Sequence, residues 1–309
     1  MTKSQRVAYG QALVDLGATN KDIVVLEADL GKSTMGNMFE TAYPNRFYEM
    51  GIAEADMASV AAGLSLTGKI PFFASFAVFV PGRCYDQIRT NICIPSLNVK
   101  ICGSSAGLSD YGDGSTHQSI DDISLMKVLP NMQVFSPVDA IQATKVVEYM
   151  AANKGPMYLR VNRNDLPILT SEAEEFVPGK VYTMREGKDV AVFATGIMVS
   201  LALEAAESLS KEGIDVKVLN VPSIKPLDAT AVQEIAASVK GIVTAEEHSI
   251  YGGMGDAISV AVSSKVACKQ IRVGVNDSFG TSGQNYTVLL EKYNLTAGAI
   301  AKAIRAAIA

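Results

Sequence analysis

Two consecutive α/β domains, each built on a parallel sheet, are predicted by three features of the chain. Short apolar runs alternate with helix-period stretches almost from end to end, the pattern of parallel sheets with helices on both faces. The stretch 166–189, LPILTSEAEEFVPGKVYTMREGKD, interrupts that alternation with two prolines, two glycines and dense charge, as connectors between domains do. The length, 309 residues, suffices for two cores, because a chain of this size buries roughly three quarters of its extended surface. The division expected is a domain over 1–168, a linker over 169–188 and a smaller domain over 189–309.

In the first domain, MTKSQRVAYGQALVDLG reads as an amphipathic helix and 23–28 as an apolar strand. A glycine turn at Gly51 leads into an alanine-rich helix from about Ala53, with Glu54 in its first turn. Gly68 stops that helix, and 70–74 is a buried strand. Phe76 and Phe79 follow, three residues apart, so both can face one side of a turn. Strands at 98–102, 132–135 and 157–161 are separated by helical stretches at 82–92, 121–128 and 139–152. After the linker, strands at 190–195, 216–221, 242–246 and 270–275 alternate with helices at 199–212, 229–239 and 253–264. Two closing helices start near Gln284 and Thr296.

The composition narrows the function classes. An apolar fraction of 48% with 19% charged residues is that of a compact chain, not a disordered one. A net charge of −5 and a pI near 5.2 weigh against nucleic acid or an anionic membrane as the main partner. Any phosphate-bearing ligand would then need locally placed arginines. Cys84, Cys93, Cys102 and Cys268 form no CxxC pair and no metal-ligand spacing. No stretch is apolar for membrane-spanning length, and the N-terminus has no signal-peptide core. A cytoplasmic protein is expected.

The motifs are individually modest. Gly112-Asp113-Gly114 could open a metal–diphosphate signature, but such a signature follows a buried strand and leads an asparagine-bearing segment. Here Ser109, Asp110 and Tyr111 precede it, and the next asparagine, Asn131, follows a proline, so a surface turn is expected and no metal site. Asp113 and His117 lie four apart in a polar loop, where a histidine is either an accessible site residue or simply solvated. His248 falls at a strand end before a glycine-opened helix, which suits a ligand or a domain contact equally. Neither a GxSxG elbow nor a GxGxxG fingerprint occurs. Glu54 would ordinarily be a surface residue complementing the helix dipole. Its neighbours Ala53, Ala55, Met57, Ala58, Val60, Ala61 and Ala62 leave little of the helix polar, so it is expected in a buried contact. A buried carboxylate must find a partner or take up a proton. Beside two aromatic rings, it would suit a flat basic heterocycle.

Taken together, dispersed segments in one order resemble the C-terminal half of a transketolase over essentially the whole length. They are the EADL run with Ser33 behind it, FYEMGIAEADM, SFAVF, GDGSTHQSIDDI, LPNMQVFSPVD, LRVNRNDLP, SIKPLD and EEHSIYGGMG. The resemblance implies a pyrimidine-binding domain followed by a transketolase C-terminal domain, with thiamine diphosphate as coenzyme. It implies that Glu54 bonds N1′ of the aminopyrimidine and promotes the tautomer that removes the thiazolium proton. Phe79 would stack on the pyrimidine with Phe76 lining the pocket, and Asp29 would fall near the thiazolium. Arg6, Ser33 and Arg163 match positions that bind a sugar phosphate, which guanidinium forks grip bidentately. Asp113 and His117 match residues that meet the sugar hydroxyls and carbonyl.

Three departures from the family pattern stand out. The chain contains no diphosphate- and metal-binding domain, so a companion N-terminal subunit is expected to carry it together with Mg2+ or Ca2+, in an α2β2 assembly. Ser105 stands where transketolases usually have a substrate-touching histidine, which leaves room for an unusual sugar. Gly82 takes a position that is aromatic in many members, so the pyrimidine pocket is expected to be less enclosed. The function implied is transfer of a two-carbon ketol unit from a ketose phosphate to an aldose phosphate. The alternatives are the β-subunit of a 2-oxo acid dehydrogenase and a non-catalytic scaffold of the same fold.

Overall fold

The computed structural model describes all of residues 1–309. Fourteen strands follow in order: β1 (Thr2–Ser4), β2 (Ile23–Glu27), β3 (Phe47–Glu49), β4 (Ile70–Phe76), β5 (Lys100–Ser104), β6 (Gln133–Phe135), β7 (Met157–Arg160), β8 (Asp165–Pro167), β9 (Tyr182–Arg185), β10 (Val190–Ala194), β11 (Val216–Asn220), β12 (Ser223–Lys225), β13 (Gly241–Ser249) and β14 (Gln270–Val275). They form a seven-stranded sheet in the order β12-β6-β7-β5-β4-β2-β3, a five-stranded sheet in the order β14-β13-β10-β11-β9, and the small pair β1-β8. The large sheets are parallel except at one edge strand each: β12 runs antiparallel to β6 and β9 antiparallel to β11.

The apolar runs form central strands because both of their faces are covered. On β2, Val24 and Leu26 turn into one core while Ile23 and Val25 turn into another. The outer core of the first sheet is closed by helices Gln5–Thr19 and Ala140–Ala152. Ser4 and Asp139 cap those helices with their side chains. The outer core of the second sheet lies under helices Met198–Ser210 and Ala297–Ile308. Between the sheets one continuous core joins Met57, Phe73 and Ile101 of the first domain to Phe193, Leu219 and Met254 of the second. No helix is long and apolar enough to cross a membrane.

Two stretches differ from the sequence expectation. The segment 169–188, expected as a linker, contributes β9 to the second sheet, and Asp139 pins its start by accepting bonds from the N–H groups of Leu169 and Thr170. The helix expected over 82–92 is broken into Val80–Arg83, Tyr85–Gln87 and a wide turn Ile88–Cys93 with i→i+5 hydrogen bonds such as Leu97 N–H to the Ile92 carbonyl. That break turns Arg83 toward Glu54. In addition, β12 leaves the second domain to edge the first sheet, where Lys225 Nζ donates to the carbonyls of Lys127 and Leu129.

A buried polar network ties the domains. Arg160 Nε donates to Asp122 Oδ2 at 2.8 Å, and its Nη2 donates to the Glu247 carbonyl at 2.7 Å. Tyr158 Oη donates to the same Asp122 oxygen. The Glu247 carboxylate accepts from Leu108 N–H and Asn162 Nδ2. Removing one member of a buried ion pair strands the other. Asp122→Ala should therefore lower the stability of the folded chain by about 3–5 kcal/mol in urea unfolding. A loss under about 1 kcal/mol would mean that solvent already screens this pair.

Candidate active site

In a parallel sheet the carboxyl ends of the strands share one edge, and ligands bind there. Phe76 is the last residue of β4, Ser105 follows β5, and Arg163 lies three residues beyond β7. Glu54 opens helix Glu54–Leu66 just after β3, with Gly51 making the turn between them at φ +66°.

Glu54 is 5% exposed. Its Oε1 accepts a hydrogen bond from Arg83 Nη1 at 2.8 Å. The Arg83 guanidinium also lies 4.0 Å from the centroid of the Phe79 ring. Phe76 and Phe79 are stacked, with centroids 5.9 Å apart and planes 17° from parallel. They do not share a helical turn: Phe76 ends the strand and Phe79 precedes helix Val80–Arg83. His117 presents its edge to both rings, at 6.2 Å from Phe76 and 5.3 Å from Phe79. A carboxylate, two stacked rings and an imidazole therefore converge.

The fit to an aminopyrimidine can be tested on Arg83. It is a planar cation that hydrogen-bonds Glu54 and stacks on Phe79, the two contacts a protonatable flat heterocycle would make there. The residues fit that half of the coenzyme. No group of three or more His, Cys, Asp or Glu side chains converges as metal ligands would. Gly82 is exposed, and a Cβ there would meet open space, next to the side chain of Arg83.

A second cluster adjoins the first through Arg163, whose guanidinium lies 5.6 Å from the Phe76 ring centroid. Arg163 Nη1 donates to Asp110 Oδ2 at 3.3 Å and to Ser105 Oγ at 3.5 Å. Arg6 Nε donates to the Arg163 carbonyl and Arg6 Nη1 to the Ser33 carbonyl. Ser33 thus enters the cluster through its backbone. Burial, and secondly repulsion from Arg163, lowers the Arg6 pKa. Burial raises the Asp110 carboxyl, while Arg163 pulls it back down. Ser105 holds a left-handed φ of +54°, a strained setting for a serine.

Among the expected site residues, Glu54, Phe76, Phe79 and His117 form the first cluster, and Arg6, Ser33, Ser105 and Arg163 the second. Asp113 is exposed at the rim beside Asp110, its charge pushing the Asp110 carboxyl up while its backbone N–H pulls it down. Asp29 stands apart: it is exposed, has φ +57°, and its N–H donates to Glu49 Oε1 at 2.8 Å. None of its hydrogen bonds reaches Glu54 or the phenylalanines. Arg83 and Asp110 were missed from the sequence. Nothing in the spacing marks either one, although the buried carboxylate expected at Glu54 called for a partner or a proton.

This architecture is that of a two-domain α/β protein with polar and aromatic clusters at the carboxyl edge of its first sheet. The family profile "Transketolase, pyrimidine binding domain" matches residues 2–168, and "Transketolase, C-terminal domain" matches residues 179–300. The chain belongs to the transketolase family. It is 40% identical over 305 residues to a transketolase C-terminal section of Methanocaldococcus jannaschii, covering 98% of this chain and 95% of the relative. It is 40% identical to a subunit of a 6-deoxy-6-sulfo-D-fructose transketolase from a Clostridium species, covering 96% and 92%. Human transketolase is 36% identical over 98% of this chain, which spans 49% of the human protein. A split-gene transketolase solved as an inactive β4 tetramer superposes with TM-score 0.90 at 46% identity, covering 99% and 98%. The transketolase of Campylobacter jejuni, at 21% identity and TM-score 0.86, shares the fold over 99% of this chain and 47% of its own.

The Glu54–Arg83 pair yields a test that needs no ligand. Arg83→Ala should cost the free chain about 1 kcal/mol, modest because the Arg83 side chain is 51% exposed. In a Glu54→Gln background the same change should cost much less, as a double-mutant cycle on unfolding free energies reads out. Equal costs in both backgrounds would mean the two side chains do not interact.

Proposed function

We propose that this chain is the pyrimidine-binding and C-terminal subunit of a split transketolase that uses thiamine diphosphate. The observation that carries the reading is the buried Glu54 carboxylate facing the stacked Phe76–Phe79 wall. When bound, the coenzyme supplies the nucleophilic carbon and the electron sink for moving a two-carbon ketol unit from a ketose to an aldose. Glu54 would hold the proton at the pyrimidine N1′, and Phe79 with Phe76 would fix the ring plane. His117 and the rim residue Asp113 would meet the sugar's hydroxyl and carbonyl oxygens. Arg6 and Arg163 would take the anionic tail, with Ser33 and Ser105 beside them. Asp29 would reach the thiazolium side only if its loop moved.

A companion chain would grip the diphosphate and its Mg2+ or Ca2+, in an assembly of two of each. Support comes from the split-gene transketolase at 46% identity and from the M. jannaschii C-terminal section, nearly all of which aligns with this chain. Sugar phosphates are the expected substrates, and the sulfo-sugar enzyme among the relatives brings other anionic tails within the reading. A 2-oxo acid has no sugar tail for Arg6 and Arg163 to hold, which sets the dehydrogenase alternative behind.

Because Arg83 lies on the Phe79 face, it must swing aside for an aromatic ring to stack there. Mixed with its companion subunit, Mg2+ and thiamine diphosphate, Arg83→Gln should bind the coenzyme about 5-fold more tightly by calorimetry, even as the free chain loses stability. Glu54→Gln should assemble normally by size exclusion but lose about 10²-fold or more in ketol transfer. Wild-type turnover in Glu54→Gln would remove the assignment.

A further inference from the structure

We infer that Asp110 sets the charge of the sugar tail, making the tail pocket select a singly charged group, sulfonate or carboxylate, over a phosphate dianion. The inference rests on the transketolase reading and narrows its substrates.

Asp110 is 2% exposed and its Oδ2 lies 3.3 Å from Arg163 Nη1. The loop that holds it is fastened on both sides. Gln118 Nε2 donates to the Asp110 carbonyl, Asn164 Nδ2 donates to the Ser109 carbonyl, and Arg163 N–H donates to Ser109 Oγ. These bonds hold the loop backbone beside Arg163, and Arg163 Nη1 itself holds the buried carboxylate. Ser105 leaves the space into which Arg163 leans, at 3.5 Å from the serine oxygen.

Charge decides what such a pocket accepts. Arg6 and Arg163 supply two guanidinium groups, and Asp110 already offsets one of them. Asp165 faces Arg6 and Asp113 faces Asp110, so neither adds positive charge, and the remaining ionisable neighbour of Asp110, His117, adds one only as imidazolium. A phosphate monoester carries close to two charges at neutral pH and would bring its second charge against the resident carboxylate in a partly desolvated pocket. A sulfonate or carboxylate brings one. Each keeps oxygens for the guanidinium forks to grip.

Two measurements decide the matter. In the first, the chain reconstituted with its companion subunit is offered ketoses of equal length ending in phosphate, sulfonate or carboxylate. Wild type should favour a singly charged tail in kcat/KM, and Asp110→Asn should raise the phosphate-to-sulfonate ratio about tenfold. Preference for phosphate in wild type, or an unchanged ratio in Asp110→Asn even if both rates fall, would overturn the inference and leave Asp110 a residue that merely positions Arg163. The carboxylate arm tells a requirement for three tail oxygens from one for single charge; turnover of either tail ahead of phosphate supports the inference. The second measurement needs no catalysis: methanesulfonate should raise the melting temperature of the wild-type chain more than inorganic phosphate does, with the order reversed in Asp110→Ser. The reverse order in wild type overturns the inference even if ketol transfer is seen. Absence of ketol transfer from every donor, with the ion selectivity intact, would instead count against the transketolase reading.

Discussion

The guanidinium of Arg160 is the point from which both the fold and the site are held. It ends β7, it is buried, and it binds Asp122 of one domain and the Glu247 carbonyl of the other. Such a group is stable in a low-dielectric setting only when its donors are satisfied with good geometry. Asp122 Oδ2 accepts a second bond from Tyr158 while its Oδ1 is left without a partner, and the Glu247 carboxylate fixes Leu108 and Asn162. Leu108 belongs to the loop that carries Asp110, and Asn162 immediately precedes Arg163. The same network that docks the domains therefore sets where Asp110 and Arg163 stand. Burial raises the Glu247 carboxyl to about 7 against the pull of Arg160, so that docking contact lies close to its titration range.

The first cluster obeys a different constraint. A carboxylate at a helix start, beneath aromatic rings, has little solvent to stabilise it and takes whatever cation the fold provides. In this chain that cation is Arg83, presented by the break in the helix that begins at Val80. Arg83 remains half exposed, so its withdrawal costs little, whereas Glu54 is fixed in place. A half-exposed partner for a buried carboxylate is the arrangement expected where the partner has to be exchanged for a ligand. That is the arrangement the proposed coenzyme-binding role of Glu54 requires.

The central strands were legible because each is a continuous apolar run covered on both faces, and the local pattern leaves few alternatives. The strands Phe47–Glu49, Tyr182–Arg185 and Ser223–Lys225 were not, since three or four residues at a sheet edge owe their state to the neighbour that pairs with them. For the same reason the sequence could not reveal that β12 leaves its own domain. Within the site, Glu54, Phe76, Phe79 and His117 were readable from residue type and context. Asp29 was carried over by resemblance alone, and its left-handed backbone and bond to Glu49 point it elsewhere.

What the sequence concealed in both clusters was the counter-charge. Arg83 lies 29 residues from Glu54, and Asp110 lies 53 from Arg163, separations at which no periodicity links two side chains. Each becomes visible only when strand ends are brought to one edge of the sheet. The two cases nevertheless differ in kind. Arg83 is solvent-facing, so it neutralises Glu54 without defining the pocket's shape. Asp110 is buried against Arg163 on a loop whose backbone Gln118 and Asn164 fasten, so its charge stays with the cluster. A counter-ion that a ligand must displace affects how tightly a site binds; one that stays in place affects what the site binds, because the ligand must coexist with it. On that distinction, the proposed coenzyme site would be tuned in affinity by Arg83 and the proposed substrate site in selectivity by Asp110.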